Sequence, residues 1–238
     1  DGLVAAISDN AGIFLFLVLL GIIVAAIFVL LSQLTVMSLA GYVYPNVYGS
    51  AAAQSTASLL GTVIMLIVCA PFASKLAAKF GKKELAVASS ICSALVWLVC
   101  LIWRPVSVWG FVACYILANI GMGFFNTIIW AMITDVIDDA EVRSGIREDG
   151  TIYSVYSFAR KLGQAFSSGL VGALLGIIGY PEATAFDPAV TRGIFNMACI
   201  APIIGFVCIV LALVFLYPLN KKKVEENVAA LAARRNSK

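Results

Sequence analysis

Residues 11–40 read AGIFLFLVLLGIIVAAIFVLLSQLTVMSLA, thirty positions without one charged side chain. A bilayer hydrocarbon core about 30 Å thick is crossed by roughly 20 apolar residues of helix. At about 1.5 Å rise per residue this run spans with turns to spare. Its apolar residues are continuous and show no period of two, so the segment reads as helix and not as a barrel strand. Gln33 is its one amide.

Five further runs of this kind follow, at about 51–70, 85–103, 106–134, 151–179 and 190–217. Across all 238 residues, 62% are hydrophobic and 12% charged. Soluble domains carry about a quarter charged residues, so lipid is the solvent for most of this chain. The expected fold is all-α and integral to the membrane. Residues 1–220 form a bundle of six transmembrane helices, and 221–238 form a charged tail. The chain opens Asp1-Gly2 rather than with methionine, which leads us to expect a fragment or a processed chain.

The sequence contains no histidine, which removes histidine catalysis, the HExxH metal motif and histidine proton relays. No constellation resembling an enzyme active site is visible, and we expect neither catalysis nor a bound cofactor. The net charge of +3 gives no reason to expect a nucleic-acid partner. All six cysteines (Cys69, Cys92, Cys100, Cys114, Cys199 and Cys208) lie inside apolar runs and none forms a C-x-x-C pair. They read as free, buried packing residues.

The charges sort by side. Lys75, Lys79, Lys82 and Lys83 fall between the second and third runs, Arg143 and Arg147 between the fourth and fifth. Lys221, Lys222, Lys223, Arg234, Arg235 and Lys238 follow the sixth. If each run spans once, all twelve share one side. The other side holds Arg104 and Arg192, with Glu182 and Asp187 in the 180–191 loop. The positive-inside rule makes the basic side cytoplasmic. Both termini are then cytoplasmic, with the tail on the membrane surface.

Ionisable groups at membrane depth are costly and mark candidate functional sites. Lys161 lies ten residues into the fifth run, about 15 Å deep, and its neighbour Arg160 points about 100° away. Ser154, Ser157, Lys161, Gln164 and Ser168 are spaced 3, 4, 3 and 4 and form one polar stripe. The stripe either lines a watery cavity, with Lys161 on a polar substrate, or carries a lysine paired to a carboxylate. Gly169, Gly172, Gly176 and Gly179 form a small-residue surface suited to close helix packing. In the fourth run, Asn119, Gly123, Asn126 and Trp130 share a face. An amide and an indole suit a sugar, one supplying hydrogen bonds and the other a flat ring. Trp130 as an interfacial anchor and Asn126 as an interhelical contact are the plainer readings. Gln33 is a further candidate. Asp135, Asp138, Glu141, Arg143, Arg147, Glu148 and Asp149 crowd residues 134–150, either as a solvated loop or as ion pairs that latch one side.

The runs Asp135-Val-Ile-Asp-Asp-Ala-Glu141, Arg147-Glu-Asp-Gly150, Tyr153-Ser-Val155, Arg160-Lys-Leu-Gly-Gln-Ala165 and Gly176-Ile-Ile-Gly-Tyr180 resemble the glycoside–pentoside–hexuronide:cation symporters of the major facilitator superfamily, a group that includes melibiose permease. Weaker likeness covers the rest, including Lys82-Lys83. The resemblance implies that the six spans are helices seven to twelve of a twelve-helix transporter of the bacterial inner membrane. It implies that Lys161 lies at the sugar and cation cavity and that Asn126 occupies a position of the sugar pocket; Trp130, Gln164 and Gln33 are further candidate substrate contacts by their own chemistry and spacing. It also implies that Asp135, Asp138, Glu141 and Arg147 form the cytoplasmic network that seals the inward side. Asn126 stands where melibiose permease has tryptophan, and Asp139 where the family often has tyrosine. The coupling cation, Na+ or H+, is expected mainly on the N-terminal half, which would be the partner of this chain.

Three functions follow. The first is cation-coupled symport of a sugar, glycoside or hexuronide by alternating access. The second keeps the fold but carries a lipid or other amphiphile. The third is a self-contained six-helix pore or scaffold.

Overall fold

The computed structural model describes residues 10–180 and 184–236. Asp1, Gly2, Glu182 and Lys238, all used above, lie outside the described residues. The elements are α1 (Asn10–Tyr42), continued by a wider turn at Val43–Val47, then α2 (Ala51–Phe80), α3 (Lys82–Trp103), α4 (Val108–Ser144) and α5 (Asp149–Ile178). After them come α6 (Pro188–Leu211), continued by a second wide turn at Ala212–Leu216, and α7 (Lys221–Asn236). Six of these are long and apolar enough to cross a membrane.

Two helices run well past their apolar stretches. Lys75 and Lys79 belong to the last turns of α2, and α4 continues through Asp135, Asp138 and Glu141 to Ser144. The expected loop at 134–150 therefore shrinks to a four-residue link after Ser144. The reason is that charge ends a membrane stretch but does not end a helix; a residue in left-handed backbone does. Gly81, at φ +106°, is the single residue joining α2 to α3, and Gly145, at φ +74°, closes α4.

The helices interlock as two triplets. α1 packs on α5 and α6, α4 packs on α2 and α3, and α1 meets α4 as α3 meets α6. Exchanging α1 with α4, α2 with α5 and α3 with α6 maps this set onto itself. Successive spans alternate in direction, so the triplets are inverted copies, the plan of transporter halves.

Helices in lipid gain little from hiding apolar surface and associate through close packing. Gly163 of α5 illustrates this: a Cβ there would lie 2.8 Å from the Ile27 carbonyl oxygen of α1. Ser93 of α3 donates across to the Ala118 carbonyl of α4 at 2.9 Å. Outward, large apolar residues such as Leu66, Ile67, Leu95, Ile102 and Phe215 are exposed, as a lipid-facing surface requires.

Several packing expectations change. Gly169, Gly172 and Gly176 face open space, and the close approach falls to Gly163. Its spacing places it with Ile152, Tyr156, Ala159 and Ser167 on the buried face of α5. Cys92 is exposed and Cys208 half-buried; the other four cysteines are buried. All six are free, and the Cys69 thiol donates to the Ile120 carbonyl at 3.3 Å.

Candidate functional site

Polar side chains gather where α1, α4 and α5 meet. Asn126 of α4 donates its amide to Gln33 Oε1 of α1 at 3.3 Å. Gln33 and Asn119 also line a cavity of about 50 Å³ with Met37, Trp97, Tyr115 and Met122. Asn119 itself donates to the Tyr115 carbonyl at 2.7 Å. Gly123, expected on the same face, instead receives Met65 and Cys69 of α2. The α4 face is thus divided: Gly123 admits α2, Asn126 reaches α1 and Trp130 reaches α5.

Trp130 lies among aromatic side chains of α5. Its ring is 6.5 Å from Tyr153 at an interplanar angle of 27°, and 5.2 Å from Tyr156 edge-on. The Arg160 guanidinium lies 5.4 Å from the indole centroid and 5.8 Å from that of Tyr156. Arg160 Nη1 also donates to the Tyr156 hydroxyl at 3.3 Å. These contacts still leave Trp130 46% exposed.

Lys161, one residue on, projects from the open side of α5. Its ammonium donates to Gln164 Oε1 at 3.1 Å. No salt bridge joins Lys161 or Arg160 to a carboxylate of the described residues, so the paired-lysine reading finds no partner there. Lys161 with Gln164 and Asn126 with Gln33 therefore form two separate pairs, while Trp130 joins Arg160.

The end of the bundle that carries α7 is held by ions. Arg147, in the link before α5, donates to Asp138 at 2.9 Å, Glu141 at 2.8 Å and Asp149 at 2.9 Å. Those bonds, Glu141 first, hold its guanidinium above the ordinary arginine range. Asp135 is not part of this group. It bonds Lys82 of α3 at 2.6 Å, and its carboxylate is buried. Three of the four expected network residues come together, and the fourth ties α4 to α3.

Sequence reasoning missed a second cluster. The Asp139 carboxylate, fully buried, accepts from Arg143 Nε at 2.7 Å and from Asn227 of α7 at 2.8 Å. Arg143 lies 3.9 Å from the centroid of the Phe14 ring of α1. Arg234 donates to the Glu141 and Val142 carbonyls, the orphan acceptors at the end of α4. Arg235 reaches Glu141 at 3.5 Å. The tail is thus a helix docked on α4, with Leu231 buried beneath it. Among the described residues, no group of three or more His, Cys, Asp or Glu side chains is arranged to hold a metal ion.

Comparison with known proteins fits this architecture. Residues 14–221 match the family described as MFS/sugar transport protein. The chain is similar to the glucuronide carrier protein homolog of Escherichia coli (strain K12), 31% identical over 181 residues, which cover 75% of this chain and 38% of that protein. It is similar also to a putative sulfoquinovose importer of the same organism, 29% identical over 177 residues, covering 74% and 37%. An uncharacterized symporter of Bacillus subtilis (strain 168) is 33% identical over 165 residues, covering 69% and 35%. The chain spans little more than a third of the length of these curated relatives. With six membrane-spanning helices and a family match over most of its length, the chain is a multi-pass membrane protein of the major facilitator superfamily, in its MFS/sugar transport family of glycoside–pentoside–hexuronide symporter type.

Proposed function

We propose that this chain is the C-terminal half-bundle of a cation-coupled symporter for a sugar, glycoside or hexuronide. The observation that carries the reading is the joint between α1, α4 and α5. There Asn126 bonds Gln33, Trp130 one turn away on α4 meets Tyr153 of α5, and Lys161 with Gln164 projects from the open side of α5. Amides satisfy pairs of sugar hydroxyls, an indole takes the apolar face of a pyranose, and an ammonium adds a charged donor. Relatives named as a glucuronide carrier and a sulfoquinovose importer support a sugar-like cargo. A relative named as a putative glycoside/cation symporter, 34% identical over 105 residues, supports coupling to a cation.

In this reading a second six-helix bundle faces the polar joint, and substrate binds between the two. The α7 end is cytoplasmic, because the basic residues gather there. The Arg147 cluster, with side chains about one-fifth to one-half exposed, is a set of ion pairs that water can reach. Such pairs are individually weak and so can exchange partners as the inner side opens and closes.

The test is uptake of labelled glycosides, pentosides and hexuronides by the complete transporter, with Na+ or a proton gradient supplied in turn. Lys161→Ala is expected to reduce cation-driven uptake at least tenfold at unchanged membrane abundance, the worth of one charge-assisted bond. Wild-type uptake by that variant would remove Lys161 from the site. Failure of every sugar with either ion would remove the reading itself.

A further inference from the structure

We infer that Arg160, not Lys161, is the residue that selects the cargo, and that it selects a sugar bearing an acidic substituent. The inference rests on the sugar-transport reading and narrows it.

Arg160 lies eleven residues into α5, about 16 Å along and roughly a third of the way through a 30-residue helix. It turns toward α4, whereas Lys161, about 100° around the helix, turns to the open side. A guanidinium is a permanent cation with five donors in a rigid fork. Among the described residues its one hydrogen-bond acceptor is the Tyr156 hydroxyl at 3.3 Å, a neutral group. The remaining company is the faces of Trp130 and Tyr156. Ring faces offset part of the cost of a desolvated cation, but they accept none of its hydrogen bonds. The fork is therefore held in place, half-buried, with donors unspent and no counter-ion among the described residues.

What completes such a site is a planar or tetrahedral anion that accepts two parallel bonds. Its setting says what the anion is attached to. Trp130 keeps nearly half its surface open beside the guanidinium, and the neutral Asn126–Gln33 pair lies one turn further along α4. An indole and two amides suit a hydroxylated ring; the arginine suits an acid on that ring. A lone inorganic anion would leave the indole and amides without a role.

The test compares three methyl glucosides that differ only at carbon six: hydroxymethyl, carboxylate and sulfonate. The complete transporter in proteoliposomes is expected to prefer one of the acids over the neutral sugar. In Arg160→Gln that preference, read as the ratio of kcat/KM values, is expected to fall roughly 10- to 100-fold. Arg160→Lys keeps the charge but loses the fork, so its ratio falls between the two; it also serves if the glutamine variant fails to reach the membrane. A ratio unmoved in both variants overturns the inference, as does equal loss of all three sugars, the sign of an arginine paired to a protein carboxylate. Wild-type uptake of the neutral sugar alone overturns the inference and leaves the transport reading standing. Uptake of none of the three overturns the inference, and the wider panel of glycosides, pentosides and hexuronides then decides the transport reading.

Discussion

Asn227→Ala removes one amide from the underside of α7. That amide is 2% exposed and donates at 2.8 Å to the fully buried Asp139 carboxylate. A hydrogen bond to a charged acceptor contributes about 1.5–3 kcal/mol. The equilibrium between docked and released α7 should therefore shift by roughly 10- to 150-fold toward release. The Leu231 contact and the two bonds from Arg234 remain, so the helix stays docked most of the time. Arg235→Ala is the comparison: its pair with Glu141 spans 3.5 Å and its side chain is 63% exposed. Solvent-exposed pairs of that kind contribute about 0–1 kcal/mol. Hydrogen exchange of the α7 backbone reads local opening directly. Protection over residues 227–235 should fall by one to two orders of magnitude in Asn227→Ala and by less than about fivefold in Arg235→Ala. Equal, small losses in the two variants would show that the carbonyl bonds and Leu231 hold α7 alone, and the argument from Asp139 would fail.

Two further substitutions probe the bundle. Lys82→Met strands the buried Asp135 carboxylate, whose second oxygen already lacks a partner. Because Lys82 is one-third exposed, the cost is set at about 2–4 kcal/mol, below that of a fully buried pair. Adding Asp135→Asn should recover more than half of it in thermal unfolding of the detergent-solubilised protein, and no recovery would count against the pair. Gly163→Val should destabilise by about 1–3 kcal/mol in the same assay, since its Cβ meets backbone of α1 that cannot rotate aside. Gly172→Ala, which meets open space, should be neutral, and equal effects at the two glycines would contradict the packing described.

The spans were legible because lipid demands long uncharged runs, and residues 11–40 carry that signal unaided. Helix ends were less legible, since hydropathy marks the bilayer and Gly81 and Gly145 mark where the helices stop. The rotation of α5 was less legible for a related reason. Neighbouring residues are fixed relative to one another, but only packing decides which of Arg160 and Lys161 turns inward. The signal was present in Ile152, Tyr156, Ala159, Gly163 and Ser167, an apolar and small-residue face at helical spacing, but Gly169, Gly172, Gly176 and Gly179 present a competing small-residue pattern nearer the helix end. Asp138, Glu141 and Arg147 could be grouped from sequence because they are at most nine residues apart. Asp139 and Asn227 are separated by 88 positions, and no local pattern announces such a pair.

Each triplet of spans lends an arm to the other: α5 lies along α1, and α2 lies along α4. Neither set of three is therefore a free-standing unit. A ribosome that has delivered only α1 to α3 has left α1 without the neighbour it fits and α2 without the surface it rests on. Completion of the bundle waits for the last spans to arrive, so assembly in the membrane is a late event, shared by both triplets.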